Sequence, residues 1–271
     1  MRDSEFEFIR HLVYEQSRIN LGPDKKDLVS ARLGKRLRAT NIPSLGEYCQ
    51  LLRSPDAEQE VADLIDVIST NHTFFFRENA HFQFMQNRVI PEMRARTLKA
   101  ASSSLNVWSA ACSTGEEPFS IAITLAEHLR DRPWSILATD ISHRVLEIAE
   151  AATYREDSVH QITPALILSH FQRGFGPEKG NVRVRPALRE RVKFQQMNLL
   201  KGDPMFAGPY QLIFCRNVMI YFDRATQEEL VERLSRYLIP GGYLFVGHAE
   251  SLTNIRHSLT PVQAAIYQKA A

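Results

Sequence analysis

Cysteine is scarce in this chain of 271 residues. The three present (Cys49, Cys112, Cys215) are odd in number and lack metal-type spacing. That argues against a disulfide-stapled fold and fits free thiols in a reducing compartment. Long apolar runs are also missing: nothing approaches the ~18 residues of a membrane span. The start, MRDSEFEFIR, lacks the apolar stretch of a secretory leader. The expectation is a soluble, cytoplasmic protein with no membrane insertion. Neither sign of charge dominates, with 33 Lys and Arg against 31 Asp and Glu for a net +2, so bulk charge does not point to nucleic acid. There is no G-x-G-x-x-G turn and no P-loop lysine, which disfavours a nicotinamide cofactor or a nucleoside triphosphate. Internal repeats and low-complexity tracts are lacking too.

What is present is an ordinary globular balance, 44% hydrophobic and 24% charged, in a length that suits one standard domain plus a small one. Residues 1–80 read as a helical domain. Phe6, Ile9, Leu12 and Val13 recur at helical spacing; Leu28, Ala31, Leu33 and Leu37 mark a second helix; Ser44 with Glu47 matches a capping box; Val61, Leu64, Ile65 and Ile68 form a later helix. Residues 81–104 read as a linker helix followed by the small, polar stretch 97–104. From residue 105 short apolar runs alternate with amphipathic stretches, with strands expected at 105–110, 135–139, 212–215, 243–246 and 262–267. That alternation implies an α/β fold, a doubly wound, mostly parallel sheet with right-handed crossovers over 105–271. Gly174, Gly176, Gly180, Pro177 and Pro186 break the rhythm, and Val182, Val184 and Val192 suggest short strands of a β-subdomain insertion at about 155–194. Charge is uneven locally. Residues 18–38 and 173–193 each hold seven Lys or Arg against two acids, and an acidic stretch runs from Asp56 to Asp66.

Four segments carry candidate chemistry. Val107 to Pro118 reads as a strand, a small-residue loop and a helix start, where backbone can approach a ligand closely. Glu117 is either the far half of a capping box with Thr114 or a ligand contact. Asp140 ends the second strand. There it can accept from both hydroxyls of a ribose or simply cap the next helix; position and chemistry favour the ribose. Asn198 and Leu199 could read the edge and face of an adenine, or form a plain turn. Arg216 and Asn217 sit between an apolar strand and the apolar run Val218 to Phe222, at the switch point where open α/β sheets bind ligands. Asp223 reads as a helix cap, and residues 238–244 as a turn back into a strand.

The runs SAACSTGEEPFSIAITLAEHL, FCRNVMIYFD and TNHTFFFRE strongly resemble the CheR family of chemotaxis receptor glutamate methyltransferases, and the resemblance runs over essentially the whole chain. It implies a class I S-adenosylmethionine-dependent methyltransferase fold, Rossmann-like, behind an N-terminal all-α domain. The implied reaction is O-methylation of glutamate side chains on the cytoplasmic helices of chemoreceptors, with S-adenosylhomocysteine released and no metal required. Residue by residue, it implies cofactor contacts at Asn71, Thr73, Arg77, Glu117, Asp140, Asn198, Leu199, Asn217 and Val218. Family members usually have a small residue where Cys112 stands, and a buried cysteine serves as one.

A glutamate side chain is already an anion at neutral pH and needs no base. Arg77 and Tyr221 are expected to orient it, the one with a bidentate fork and the other with a single donor. The plain alternative for Arg77 is an ion pair with Glu78, while Phe74, Phe75 and Phe76 read as packing. Lys35, Arg36 and Arg38 are expected to dock the acidic methylation helices, and the β-subdomain is a candidate site for a receptor's C-terminal tail. A monomer is expected, with chemoreceptors as partners and no nucleic acid, since residues 216–222 lack the Asn/Asp-Pro-Pro-aromatic motif of amino-methylating DNA enzymes. The competing readings are a methyltransferase with another substrate and a non-catalytic signalling module that binds the cofactor or its product.

Overall fold

A computed structural model describes residues 1–97, 104–206 and 208–270; the linker expected at 97–104 falls, but for its ends, outside them. The chain forms two compact units. One comprises residues 1–70 with 219–227, the other residues 71–218 with 228–271. The expected boundary at residue 80 therefore moves. Residues 71–80 group with the sheet unit, where Phe75 is fully buried edge-on to Tyr154 and Phe171, at ring distances of 5.0 and 5.6 Å. Among the described residues no helix is long and apolar enough to cross a membrane.

In the helical unit, helices Asp3–Ser17, Lys26–Thr40, Leu45–Leu51 and Glu58–Ile68 pack around Phe6, Ile9, Val13, Leu33, Tyr48 and Leu64. Of the expected capping box the N-cap half forms: Ser44 accepts the Glu47 N–H at 3.2 Å, while its hydroxyl donates to Glu47 Oε1 at 2.9 Å. The second helix is rotated from the expected face: Val29 and Leu33 are buried, while Leu28 is exposed. Its basic residues also behave differently from a solvated stripe. Arg32 closes the end of Glu58–Ile68, donating to the carbonyls of Ile68 and Ser69 and, at 2.9 Å, to the Thr70 hydroxyl. Arg36 holds Glu60 bidentately at 2.7 and 2.6 Å and also reaches Asp63. Two acids of the acidic stretch, Glu60 and Asp63, thus pair with the basic one. Residues 219–227 join this unit through the Tyr221 carbonyl, which accepts the Asn20 N–H at 2.8 Å, and through Asp223. Asp223 takes the Tyr14 hydroxyl at 2.6 Å and the Thr226 N–H at 2.8 Å, the helix cap its sequence implied.

Among the described residues the sheet unit has ten strands: β1 (Leu105–Ala110), β2 (Trp134–Asp140), β3 (Thr153–Arg155), β4 (Phe171–Arg173), β5 (Asn181–Val184), β6 (Val192–Gln196), β7 (Tyr210–Cys215), β8 (Leu238–Val246), β9 (Leu259–Gln263) and β10 (Ile266–Lys269). Seven of them form the main sheet in the order β6-β2-β1-β7-β8-β10-β9. The first five run parallel, and the last two are antiparallel additions. β1 is the first strand and sits inside the sheet. Val107, Trp108 and Ala110 are fully buried, as expected for a parallel strand with both faces covered. Phe214 and Phe245 are register partners on β7 and β8 and stack at 4.3 Å.

Two expectations change here. Val192 does not belong to the insertion: β6 pairs with β2 as the edge of the main sheet, and the small sheet β3-β5-β4 lies within residues 153–184. The final strand is two strands, because Ala265 turns the chain in a left-handed conformation (φ 61°) without the glycine or asparagine that usually announces such a turn.

The paired state of Arg36 leads to a stability prediction. Arg36→Ala should lower the unfolding free energy by about 1–3 kcal/mol, because it strands Glu60 and Asp63. Lys35→Ala and Arg38→Ala should each stay within about 0.5 kcal/mol. Urea unfolding of the three variants checks this.

Candidate active site

The carboxyl ends of β1, β2, β6 and β7 all open on one edge of the parallel sheet. After β1 the chain turns through three left-handed residues, Ala111 (φ 66°), Ser113 (φ 50°) and Gly115 (φ 95°). Gly115 is required twice over: a Cβ there would lie 2.8 Å from the Tyr154 hydroxyl and 2.9 Å from Ala149 Cβ. Backbone bonds tie the loop to β2, since the Cys112 N–H donates to Thr139 O at 2.9 Å. The Ser113 N–H donates to Asp140 Oδ2 at 2.8 Å, and the Ser113 hydroxyl to the Asn71 carbonyl at 3.0 Å. One loop therefore brings Asn71 and Asp140 together.

Asp140 is not the cap of the following helix. Ser142 is, accepting the Val145 N–H at 3.2 Å, while Asp140 Oδ1 accepts the Ser142 N–H at 3.0 Å. Its backbone carbonyl takes the Met197 N–H at 2.8 Å, which sets Asn198 and Leu199 beside the end of β2. Asn198 does make the plain turn, accepting the Leu200 N–H on Oδ1 at 2.9 Å, and Leu199 is buried. Cys112 is buried as well, and burial pushes its thiol well up.

The capping box of Thr114 and Glu117 does not form. The Thr114 hydroxyl donates to Glu116 at 2.6 Å. Glu117 instead takes the Ser109 hydroxyl at 2.7 Å and Arg216 Nη1 at 2.9 Å. Arg216, whose side chain is 1% exposed, also donates through Nη2 to the Arg77 carbonyl and, at 3.0 Å, to Glu78 Oε2. Glu78 Oε1 receives Asn217 Nδ2 at 3.2 Å and the His248 N–H at 3.1 Å. Asn217 (φ 60°) donates its N–H to Glu250 Oε2 at 2.7 Å, and the same oxygen takes the Gly247 N–H at 2.6 Å. The Arg77 side chain does not pair with Glu78; it donates to the His72 carbonyl at 2.7 Å and lies 5.9 Å from the Phe74 ring. Val218 ends this unit's run and Thr73 is half-buried in it, whereas Tyr221, Lys35, Arg36 and Arg38 belong to the helical unit.

Sequence reading placed Arg216 at the switch point but not its partners, and it passed over Glu78 and Glu250 as actors. The available signal was a charged residue inside an apolar run, which at Arg216 is explained by its two carboxylate partners, 99 and 138 residues away.

The family model described as "CheR methyltransferase, SAM binding domain" matches residues 71–268, and the one described as "CheR methyltransferase, all-alpha domain" matches residues 4–69. The chain belongs to the CheR methyltransferase family. It is 42% identical to a chemotaxis protein methyltransferase of Klebsiella aerogenes over 94% of this chain and 86% of that protein. It is 39% identical to that of Escherichia coli K12 over 98% and 91%, and 40% identical to chemotaxis protein methyltransferase 2 of Pseudomonas aeruginosa over 98% and 93%. Among solved structures, magnesium protoporphyrin IX methyltransferase from Synechocystis with bound SAH is 14% identical, covers 70% of this chain and 71% of that one, and has a TM-score of 0.34. A likeness that low carries no argument.

A CheR-type cofactor, S-adenosylmethionine, is a cation at sulfur, and the buried charges suit one. Glu78 and Glu117 flank a single guanidinium, two carboxylates to one positive charge. Burial pushes Glu117 up, against the pull of Arg216 and Ser109. Burial also works to raise Glu78, but the charge of Arg216, the His248 N–H and the Asn217 amide outweigh it and hold this carboxyl low. A positively charged ligand relieves that imbalance. Glu78, His81 and His248 also bring one potential metal-ligand atom each within 4.8 Å of one another. Both Glu78 oxygens there already accept hydrogen bonds, and Arg216 opposes a metal cation.

His81 is wholly buried and neither ring nitrogen has a hydrogen-bond partner. Burial, then the charge of Arg216, pull its pKa from 6.5 down to about 3, with Glu78 acting the other way and His248 adding to the fall. The folded state therefore refuses a proton that the unfolded chain accepts, so stability must drop as pH falls below 6.5. Between pH 7 and pH 5 the protein should lose about 2 kcal/mol relative to a His81→Leu variant, read from urea unfolding at both pH values.

Proposed function

We propose that this chain transfers the methyl group of S-adenosylmethionine to glutamate side chains on the cytoplasmic helices of chemoreceptors, leaving S-adenosylhomocysteine and a glutamyl methyl ester. The observation that carries this is the CheR match in both halves of the chain, together with relatives named as chemotaxis protein methyltransferases. The protein acts in the cytoplasm as a monomer and uses no metal.

When bound, the cofactor supplies an electrophilic methyl group on a sulfonium. The chain supplies placement. Asp140, oriented by the Ser113 and Ser142 N–H groups, takes the ribose hydroxyls. Asn198 and Leu199 take the adenine, Glu117 faces the amino group, and Asn71, Thr73, Asn217 and Val218 complete the walls. Arg77 and Tyr221 orient the incoming carboxylate. The bond from Arg77 to His72 uses one of five N–H donors, so its fork can still engage a carboxylate. The nucleophile is already charged, so the chemistry rests on near-attack geometry, worth ~7–11 kcal/mol at best.

Docking of the acidic methylation helices falls to Lys35 and Arg38, which are exposed, because Arg36 is committed to Glu60 and Asp63. A receptor tail would add to an edge of the small β3-β5-β4 sheet, near exposed Phe175 and Leu168.

With purified receptor, radiolabelled methyl transfer should give a base-labile product, and S-adenosylhomocysteine should bind in calorimetry. Arg77→Ala should cut turnover by roughly 100-fold; normal turnover with normal cofactor binding removes Arg77 from the mechanism. Lys35→Glu combined with Arg38→Glu should slow methylation at low salt and match the parent at high salt, where screening shortens to about 3 Å at 1 M. Equal rates at low salt would place docking elsewhere.

A further inference from the structure

We propose that Glu78 is a positioning residue for this reaction: its carboxylate locks the turn that carries Arg77 to the ends of β7 and β8. The inference rests on the reading of Arg77 as the group that orients the substrate carboxylate.

Arg77 stands between two residues in left-handed conformation, Phe76 (φ 55°) and Glu78 (φ 57°). Neither is glycine, so each is sterically disfavoured and the turn persists only with support from its surroundings. Within the turn the Arg77 N–H donates to the Phe74 carbonyl at 3.3 Å and the Glu78 carbonyl accepts the His81 N–H at 3.0 Å, and the anchors from outside it include the Phe76 N–H, which donates to the Ser120 hydroxyl at 2.9 Å, and the Arg77 carbonyl, which accepts from Arg216 Nη2. That same Nη2 donates to Glu78 Oε2 at 3.0 Å, so one guanidinium nitrogen grips the Arg77–Glu78 segment through both main chain and side chain.

The other Glu78 oxygen extends the grip to two further segments. It accepts Asn217 Nδ2 at 3.2 Å at the end of β7 and the His248 N–H at 3.1 Å beyond β8. Those two segments are themselves interlocked. Glu250 takes the N–H groups of both Asn217 and Gly247, and a side chain at Gly247 would come within 2.5 Å of Asn217 Nδ2. Glu78 therefore joins the Arg77 turn to this frame through both of its oxygens, beside the bond from Arg216 to the Arg77 carbonyl. Without its carboxylate the Arg77 guanidinium samples many orientations, and near-attack geometry is lost even though Arg77 is present.

The test is a double-mutant cycle on the full-length protein, with kcat measured on receptor at saturating S-adenosylmethionine. Glu78→Gln keeps the shape but turns an amide toward Arg216, and should lower kcat by ~10-fold. Glu78→Gly, which relaxes the left-handed backbone and deletes the carboxylate, should lower it as much, with a reduced thermal midpoint because Arg216, Asn217 and His248 lose a shared acceptor. In the Arg77→Ala background the same Glu78 changes should have no further effect on kcat, because a positioning residue has nothing left to position. Full additivity in the cycle, with Glu78→Gln costing the same factor with and without Arg77, would make Glu78 a general structural residue and overturn the proposal. So would parent-like kcat in Glu78→Gly. If Arg77→Ala alone turned over normally, the reading of Arg77 would fail first and take this proposal with it, a result distinct from additivity.

Discussion

The organisation of the sheet edge depends on one buried guanidinium. Arg216 cannot be left unpaired at 1% exposure, because an isolated charge in such surroundings costs several kcal/mol. Its partners Glu117 and Glu78 come from different segments, and satisfying Arg216 pulls both onto the end of β7. Once they are there, Asn217, Glu250 and the backbone at Gly247 and His248 follow through direct hydrogen bonds. The same pairing leaves one carboxylate more than the positive charges can balance, a suitable reception for a sulfonium.

The parallel sheet decides where this happens. In a doubly wound sheet the carboxyl ends of neighbouring strands share an edge, and loops there carry the chemistry while the strands stay buried. β1 and β2 pair over their whole length, so the small-residue loop and Asp140 meet without any long side chain reaching across. Six left-handed residues fall in the same places: Ala111, Ser113 and Gly115 after β1, Phe76 and Glu78 around Arg77, Asn217 after β7. Strained backbone of this kind persists only where surrounding contacts over-determine it.

Much of this was legible in advance because it is local. Period and apolar runs mark the strands, and the caps at Ser44 and Asp223 are short-range patterns that form as read. The failures share a cause. Val192 looked like part of the insertion because nothing in its neighbourhood says which sheet it will join; β2, more than fifty residues earlier, settles that. Arg36 looked like a free charge because Glu60 and Asp63 lie on another helix. Thr114 and Glu117 satisfied the spacing of a capping box, yet Ser109 and Arg216 compete for the carboxylate and win, since a charge-assisted bond in a buried site outweighs an ordinary cap.

The amino-acid sequence by itself determined the class of fold, most of the order of helices and strands, and the family, because each of these is written in residue types a few positions apart. The tertiary structure alone decided which charges are spent on holding the protein together and which remain for a substrate. It paired Arg216 with Glu78 and Glu117, committed Arg36 to Glu60 and Asp63, and set Arg77 between two left-handed residues. Ion pairs between distant segments depend on how the chain packs, and spacing along the chain carries no record of that.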